Sequence, residues 1–219
     1  EKEMLITDYL FENVKPIWDA YLEHDFIMDM GNGNLCKDKF KDYLIQDYLY
    51  LKEYAKVYAM ALVKCENIEQ MKFCQNSING ILEDESATHI WYLKNFGEKI
   101  EELEDYKIKE ANENYTSYMK SIALTGDLLD TMVSVLPCAW SYYYIGKKLK
   151  ETLEDNFYKS WIESYSCEGY EQVARTSIEF VNTLSENIDE NKKEKLKDIF
   201  IKASIHEMKF WDMAYEEVK

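Results

Sequence analysis

The stretch from Gly126 to Gly146, GDLLDTMVSVLPCAWSYYYIG, constrains the fold most, because an amphipathic helical pattern runs straight through a proline. Pro137, one of only two prolines in the chain, removes an i to i−4 hydrogen bond and crowds the preceding turn. The pattern therefore predicts a helix that kinks or loosens between Ser134 and Cys138. At about 100° per residue, Thr131, Val135, Cys138, Tyr142, Ile145 and Leu149 share one stripe. Cys138 should face inward, one turn from Tyr142 and beside distorted backbone. Such a thiol is either a small buried hydrophobe or a sheltered nucleophile.

The rest of the chain has few breakers. Seven glycines in 219 residues, with 47% hydrophobic and 31% charged residues, suit long helices and exclude a many-turned β fold or a disordered chain. No seam in composition divides the sequence, so residues 1–219 are expected to form a single all-α domain. A formal charge of −16 argues against nucleic acid and against an anionic membrane surface, since phosphate binding needs clustered Lys and Arg. The five cysteines, Cys36, Cys65, Cys74, Cys138 and Cys167, are odd in number and contain no CxxC pair, which points away from a disulfide framework or zinc site. The first residues, EKEMLITDYL, lack the order of a secretory signal, and the longest uncharged run, Thr131 to Gly146, is too short and too polar to span a bilayer. A cytoplasmic protein is expected.

Periodicity places helices at about Ile6 to Glu23, Lys37 to Lys64 and Asn67 to Phe96, the last interrupted in pattern by Gly80 and stopped by Gly97. His24-Asp25-Phe26 closes the first, and MGNGNL at 30–35 reads as the clearest loop. Glu98 to Asp105 reads as a solvated acidic continuation. Later helices are expected from Asn114 or Tyr115 to Gly126, on to about Glu151, from Leu153 to Tyr165, from Gly169 to Leu184, and from Asp189, a possible cap, to about Val218. Seven or eight helices of this length joined by short links make a helical bundle.

Two carboxylates fall on apolar faces. Phe40, Leu44, Asp47, Leu51, Tyr54 and Tyr58 form one stripe, with Tyr43 and Tyr50 on its border. Phe200, Ala203, Ser204, Glu207, Phe210, Trp211 and Ala214 form another. Burying an unpaired polar group costs about 2–7 kcal/mol, so each acid requires a partner or a purpose. A tyrosine hydroxyl is the plain structural partner, there being eighteen tyrosines; an active site is the other reading. An inward thiol, two inward acids and many tyrosines together describe an aromatic-walled pocket suited to a flat, nitrogen-containing ring. A di-iron bundle would show Glu-x-x-His pairs, and the residues three before His24, His89 and His206 are Tyr21, Ser86 and Ala203. Glu85 and His89 share a helical face, but one such pair is weak grounds for a metal, as is the lone His24 for haem. No metal is expected.

FKDYLIQDYLYLKEYAKVYAMA at 40–61, ENYTSYMKSIA at 113–123, GDLLDTMVSVLPCAWSYYYIGKKL at 126–149, YKSWIESY at 158–165 and HEMKFWDMAY at 206–215 together resemble the TenA or thiaminase II family, in the same order and over most of the chain. The combination QDYLYL, LPCxWxY, YxxWIxxY and ExxFWDMAY is specific where each alone is weak. The resemblance implies a haem oxygenase-like helical fold without haem, a cytoplasmic homotetramer, and hydrolysis of 4-amino-5-aminomethyl-2-methylpyrimidine to the hydroxymethyl pyrimidine, with cleavage of thiamin as a side activity. It also implies roles: Cys138 as the nucleophile that adds to the ring, Glu207 as acid and base, and Asp47 as the acid that binds a ring nitrogen or amino group. Tyr50 and Tyr142 would be aromatic walls, Tyr115 a pocket tyrosine, and Tyr165 a hydroxyl that hydrogen-bonds the ring. Thiolate addition followed by elimination and water attack uses no cofactor and no metal, unlike the zinc route of the nucleobase deaminases. The expected partner is thus a small aminopyrimidine or thiamin.

Two positions depart from the family pattern: Asp25, where proline is common, and Ala139, where a proline or aromatic is frequent. Both bear on pocket shape rather than on the chemistry. Competing expectations are a pyrimidine-binding regulator or cofactorless oxidase on the same fold, which would not need Cys138, and a bundle whose buried acids only pair with tyrosines.

Overall fold

Helices form where the apolar stripes predict them, and three of their starts are capped by the side chains of His24, Asn67 and Asp189. The computed structural model describes residues 3–151 and 155–216, and every regular element among these is helical. The α-helices are α1 (Ile6–Glu23), α2 (Asp25–Asn32), α3 (Lys37–Val63), α4 (Ile68–Asn79), α5 (Ser86–Asn95), α6 (Glu110–Thr125), α7 (Leu128–Lys150), α8 (Lys159–Ser166), α9 (Glu168–Leu184) and α10 (Glu190–Tyr215). A π-helical turn, Gly80–Glu85, joins α4 to α5, and a 3-10 turn, Ile100–Asp105, precedes α6. Among the described residues no helix is long and apolar enough to cross a membrane.

Several boundaries depart from the expectation for local reasons. The 30–35 loop is shorter: α2 runs through Gly31 and Asn32 and ends on Gly33 at φ 76°, a left-handed conformation that glycine takes without strain. Gly31 lies inside the helix, where its missing Cβ leaves room for Leu149; a Cβ there would sit 2.9 Å from Leu149 Cδ2. His24 ends α1 and caps α2, its Nδ1 accepting from Phe26 N at 3.1 Å, so this ring nitrogen serves the backbone. Asp25 is the first residue of α2 and is exposed, a position where proline and an acid are both favourable. Its departure from the family pattern is therefore a helix-start exchange. The Asn67 side chain accepts from Gln70 N at 2.9 Å and opens α4, and Asp189 accepts from Lys192 N at 2.8 Å before α10. α6 begins at Glu110, a turn earlier than expected. α7 continues as helix through Pro137. The expected helix start at Leu153 and the expected end at Val218 lie outside the described residues.

The chain divides into two compact units, Glu1–Leu35 with Met132–Trp211, and Cys36–Thr131 with Asp212–Lys219. Each is discontinuous in sequence, so no composition shift along the chain could mark it. Unit one has an aromatic core: Trp18 stands edge-on to Trp140 at 5.3 Å, Phe11 stacks on Trp140 at 5.4 Å, and Phe200 lies 5.7 Å from Trp18. Thr7 ties α1 to α9 through Asn182, with its backbone N–H at 3.2 Å and its hydroxyl at 3.0 Å. In unit two, α3 carries α4, α5 and α6 against it. Phe40 packs between Tyr43, Tyr92 and Phe96, and Cys65 and Cys74 are free thiols 3.7 Å apart.

Candidate functional site

The stripes drawn from the sequence are buried as expected. On α7, Thr131, Val135, Cys138, Tyr142 and Ile145 are buried, with Leu149 partly so. On α10, Phe200, Ala203, Ser204, Glu207, Phe210, Trp211 and Ala214 are all buried. Cys138, Tyr142, Tyr165 and Glu207 belong to unit one; Asp47, Tyr50 and Tyr115 belong to unit two.

In unit one, Tyr142 on α7 sits one turn beyond Cys138 and touches Tyr165 of α8 at a ring distance of 4.8 Å and Trp211 of α10 at 5.4 Å. Glycine makes the first contact possible. A Cβ on Gly146 would lie 2.9 Å from the backbone carbon and oxygen of Tyr165, so α8 can lie directly against α7 only because that Cβ is missing. Trp161 and Tyr170 flank Tyr165 edge-on at 5.1 and 4.9 Å, and Phe26 stacks on Trp211 at 5.6 Å. Tyr21 of α1 donates its hydroxyl to the Ser204 carbonyl, and Trp18 donates to Ser204 Oγ at 3.1 Å, which fixes the turn of α10 ahead of Glu207. Burial first, and then the negative charges of Glu207 and Cys138, raise the Tyr21 phenol well above its ordinary pKa. Thiol and carboxyl therefore both lie within electrostatic reach of one buried phenol. In the sequence Tyr21 stands out only as the residue three before His24, and its hydroxyl gives no pattern to find.

In unit two the tyrosines of α3 form a ladder. Tyr50 stacks on Tyr54 at 5.3 Å, Tyr54 meets Tyr58 edge-on at 5.2 Å, and Tyr115 of α6 tilts against Tyr50 at 5.2 Å. The Tyr50 hydroxyl points to Met119 Sδ at 3.8 Å. A buried amide network sets α6 on α3: Asn112 donates to the Gln46 carbonyl at 2.8 Å and to its Oε1 at 3.1 Å, and Gln46 donates to the Lys107 carbonyl at 3.0 Å. Gln46 and Asn112 were not singled out from the sequence, where two polar residues on mostly apolar faces look like noise.

Asp47 corrects one expectation. Its partner is a histidine and not a tyrosine: Oδ2 lies 2.5 Å from His89 Nε2, with the imidazole fully buried and the acid nearly so. His89 Nδ1 lies 2.7 Å from the Glu85 backbone oxygen. Glu85 keeps a partly exposed side chain, yet the protein around its carboxyl pushes the pKa up to about 7, burial being the main cause, with Asp47 and Asp84 adding and His89 opposing. In the sequence the Glu85 and His89 pair, four residues apart, reads as weak grounds for a metal and more readily as a hydrogen-bonded pair. Among the described residues no three His, Cys, Asp or Glu side chains are grouped to hold a metal ion.

Comparisons with known proteins bear on the family and the fold. The model of the TENA/THI-4/PQQC family matches residues 11–217. An aminopyrimidine aminohydrolase of Helicobacter pylori is 37% identical over 216 residues, covering 97% of this chain and 100% of that protein. Among solved structures, a TenA homologue from P. horikoshii OT3 superposes with a TM-score of 0.89 at 26% identity, covering 97% of this chain and 99% of that one. A Shewanella denitrificans domain described as having a heme oxygenase-like fold superposes with a TM-score of 0.75 at 17% identity, covering 95% and 91%, and shows the fold class alone.

Proposed function

Because the chain belongs to the TENA/THI-4/PQQC family, we propose that it is an aminopyrimidine aminohydrolase that converts 4-amino-5-aminomethyl-2-methylpyrimidine to the 5-hydroxymethyl pyrimidine and ammonia, and cleaves thiamin as a side activity. The observation that carries this reading is the 37% identity, end to end, with a protein that bears that name. The buried thiol and carboxyl of unit one support the chemistry.

The roles follow from the functional groups. The Cys138 thiolate forms a C–S bond to an electron-poor ring carbon, and the ring loses its aromaticity. Glu207, as the acid, gives its proton to the amine on the exocyclic methylene; that C–N bond breaks and ammonia leaves. Water then adds its oxygen to the methylene carbon while the Glu207 carboxylate takes its proton. The C–S bond breaks, aromaticity returns, and both Cys138 and Glu207 are back in their starting states. Asp47 holds a ring nitrogen or amino group, Tyr50, Tyr115 and Tyr142 bound the ring with their aromatic faces, and Tyr165 donates a hydrogen bond to it. A homotetrameric assembly and a cytoplasmic setting belong to the same reading.

The test is release of the hydroxymethyl pyrimidine from the aminomethyl pyrimidine and from thiamin, followed by chromatography in chelator-treated buffer. Cys138→Ser should lower kcat by about 1000-fold or more with its thermal midpoint little changed. The faster substrate names the main activity. No turnover of either compound by folded wild type would sink the hydrolase and favour a pyrimidine-binding regulator or cofactorless oxidase.

A further inference from the structure

His89 has no task in the chemistry above, yet it is the enclosed partner of the acid assigned to the ring. Its two nitrogens are constrained differently. Nδ1 lies 2.7 Å from the Glu85 carbonyl oxygen, which can only accept, so Nδ1 carries a proton. Nε2 lies 2.5 Å from Asp47 Oδ2, a separation that requires one proton between the two atoms. Imidazolium facing carboxylate and neutral imidazole facing carboxylic acid both satisfy that requirement. In either form Oδ2 is committed to His89 and the plane of the carboxyl group is held. No other side-chain hydrogen bond reaches the Asp47 carboxyl group among the described residues, so Oδ1 is the oxygen left to act.

The local fold builds this arrangement. Asp47 lies on the inner stripe of α3, and α5 packs on α3. The π turn Gly80–Glu85 ends directly before α5, with Ser86 Oγ donating to the Ile81 carbonyl at 3.1 Å. A π turn inserts a residue into the helix and re-aims the side chains that follow, which is why such turns gather at functional sites. Here a side chain that follows, on the fourth residue of α5, is His89.

We propose that His89 is a positioning residue for substrate binding, orienting Asp47 so that Oδ1 receives the hydrogen bond of an amino group or protonated nitrogen on the aminopyrimidine. The proposal rests on the functional reading above. Its electrostatics are consistent: burial works against a charged imidazole, but the hydrogen bond and charge of Asp47, with the Glu85 carbonyl and carboxylate, outweigh it and raise the His89 pKa. The titratable groups bearing on the ring are Asp47 from α3 and Glu85 from the π turn, and Asp84 acts on Glu85.

A kinetic double-mutant cycle tests it on the full chain. His89→Leu should lower kcat/KM by about tenfold or more, chiefly through KM, and His89→Gln, which keeps a donor, should recover much of the loss. In an Asp47→Asn background His89→Leu should cost less than about threefold more, because a residue acting through Asp47 has nothing left to orient. Additive losses with normal wild-type turnover would overturn the positioning role and leave the hydrolase standing; no turnover by folded wild type would overturn both. Proton and nitrogen NMR of histidine-labelled protein supplies a readout that needs neither turnover nor a folded His89→Leu variant. The ring nitrogens of His89 should change state in Asp47→Asn, and signals that do not move would defeat the pairing.

Discussion

The two buried carboxylates stand in differently built surroundings. Glu207 of unit one stands on a helix face among Phe210, Trp211 and a phenol that feels its charge, in a region positioned by ring contacts and by the missing Cβ of Gly146. Asp47 of unit two is held by an imidazole, and the neighbouring helix is positioned by the amides of Gln46 and Asn112. Close packing tolerates little added volume, while a buried polar network tolerates no lost partner. An acid that must move a proton gains from the first arrangement, in which packing fixes the helix that carries it. An acid that must present one fixed oxygen gains from the second.

The sharpest way to break this contrast is to neutralise each acid without changing its shape. Glu207→Gln should lower kcat by about 10² to 10⁴ and leave stability nearly unchanged, as the loss of a general acid and base does. Asp47→Asn should act mainly on KM and should also cost about 1–3 kcal/mol of stability, because the buried His89 loses a charged hydrogen-bond partner. Steady-state kinetics beside urea melts separates the two patterns. Equal losses in kcat for the two variants, with equal stability, would erase the distinction between proton transfer and orientation.

A second contrast uses one methyl group in each unit. Gly146→Ala places a Cβ 2.9 Å from the backbone of Tyr165, which cannot rotate away, so overpacking should outweigh the better helix propensity of alanine and destabilise by about 2 kcal/mol. KM should rise as Tyr165 shifts from Tyr142. Gly80→Ala meets nothing within 4 Å and sits at φ −59°, so the same methyl should stabilise by about 0.5–1 kcal/mol. Thermal midpoints moving in opposite directions confirm the reading; both falling together would mean that the π turn depends on its glycine.

The same contrast explains what the sequence made legible. A stripe is a property of one helix, so Cys138, Glu207 and Asp47 could be placed inward from periodicity alone, and the structure buries all three. Partners are a property of two helices. His89 stands 42 residues after Asp47, and no spacing rule links them; the tyrosine-rich composition suggested a phenol, and the π turn that aims His89 left only Gly80 as its trace. The short loop at Gly33 was blurred for a related reason, since Gly31 and Gly33 look alike in sequence. One is a contact with Leu149 inside a helix and the other is a left-handed cap. The units themselves were invisible because each takes residues from two separate stretches.

The smallest effect tests whether the polar unit is also the pH-sensitive one. Burial, with help from Asp47 and Asp84, raises the Glu85 carboxyl from 4.5 to about 7. A raised folded pKa means that the protonated form is favoured by folding, so its stability contribution is full below about 4.5 and is lost as pH climbs through about 7. At about 1.4 kcal/mol per unit the ceiling would be near 3 kcal/mol, and the partial exposure of the side chain reduces it to about 1 kcal/mol. His89 acts in the same sense, since its pKa is also raised, so its contribution is present below 6.5 and fades as pH rises through the elevated value. Tyr21 in unit one, shifted far above 10, stays neutral throughout this range. Urea melts of wild type and Glu85→Gln from pH 5 to 8.5 should therefore nearly coincide at the acid end and separate by about 1 kcal/mol at the alkaline end, with the variant the more stable. The residual slope of the variant belongs to His89 and, with opposite sign, to His206 of unit one, whose pKa burial lowers; adding Asp47→Asn should reverse the His89 part, because burial then lowers the pKa of that ring. A variant curve parallel to wild type across the range would show that Glu85 ionises freely, and the polar unit would lose its claim to the pH response.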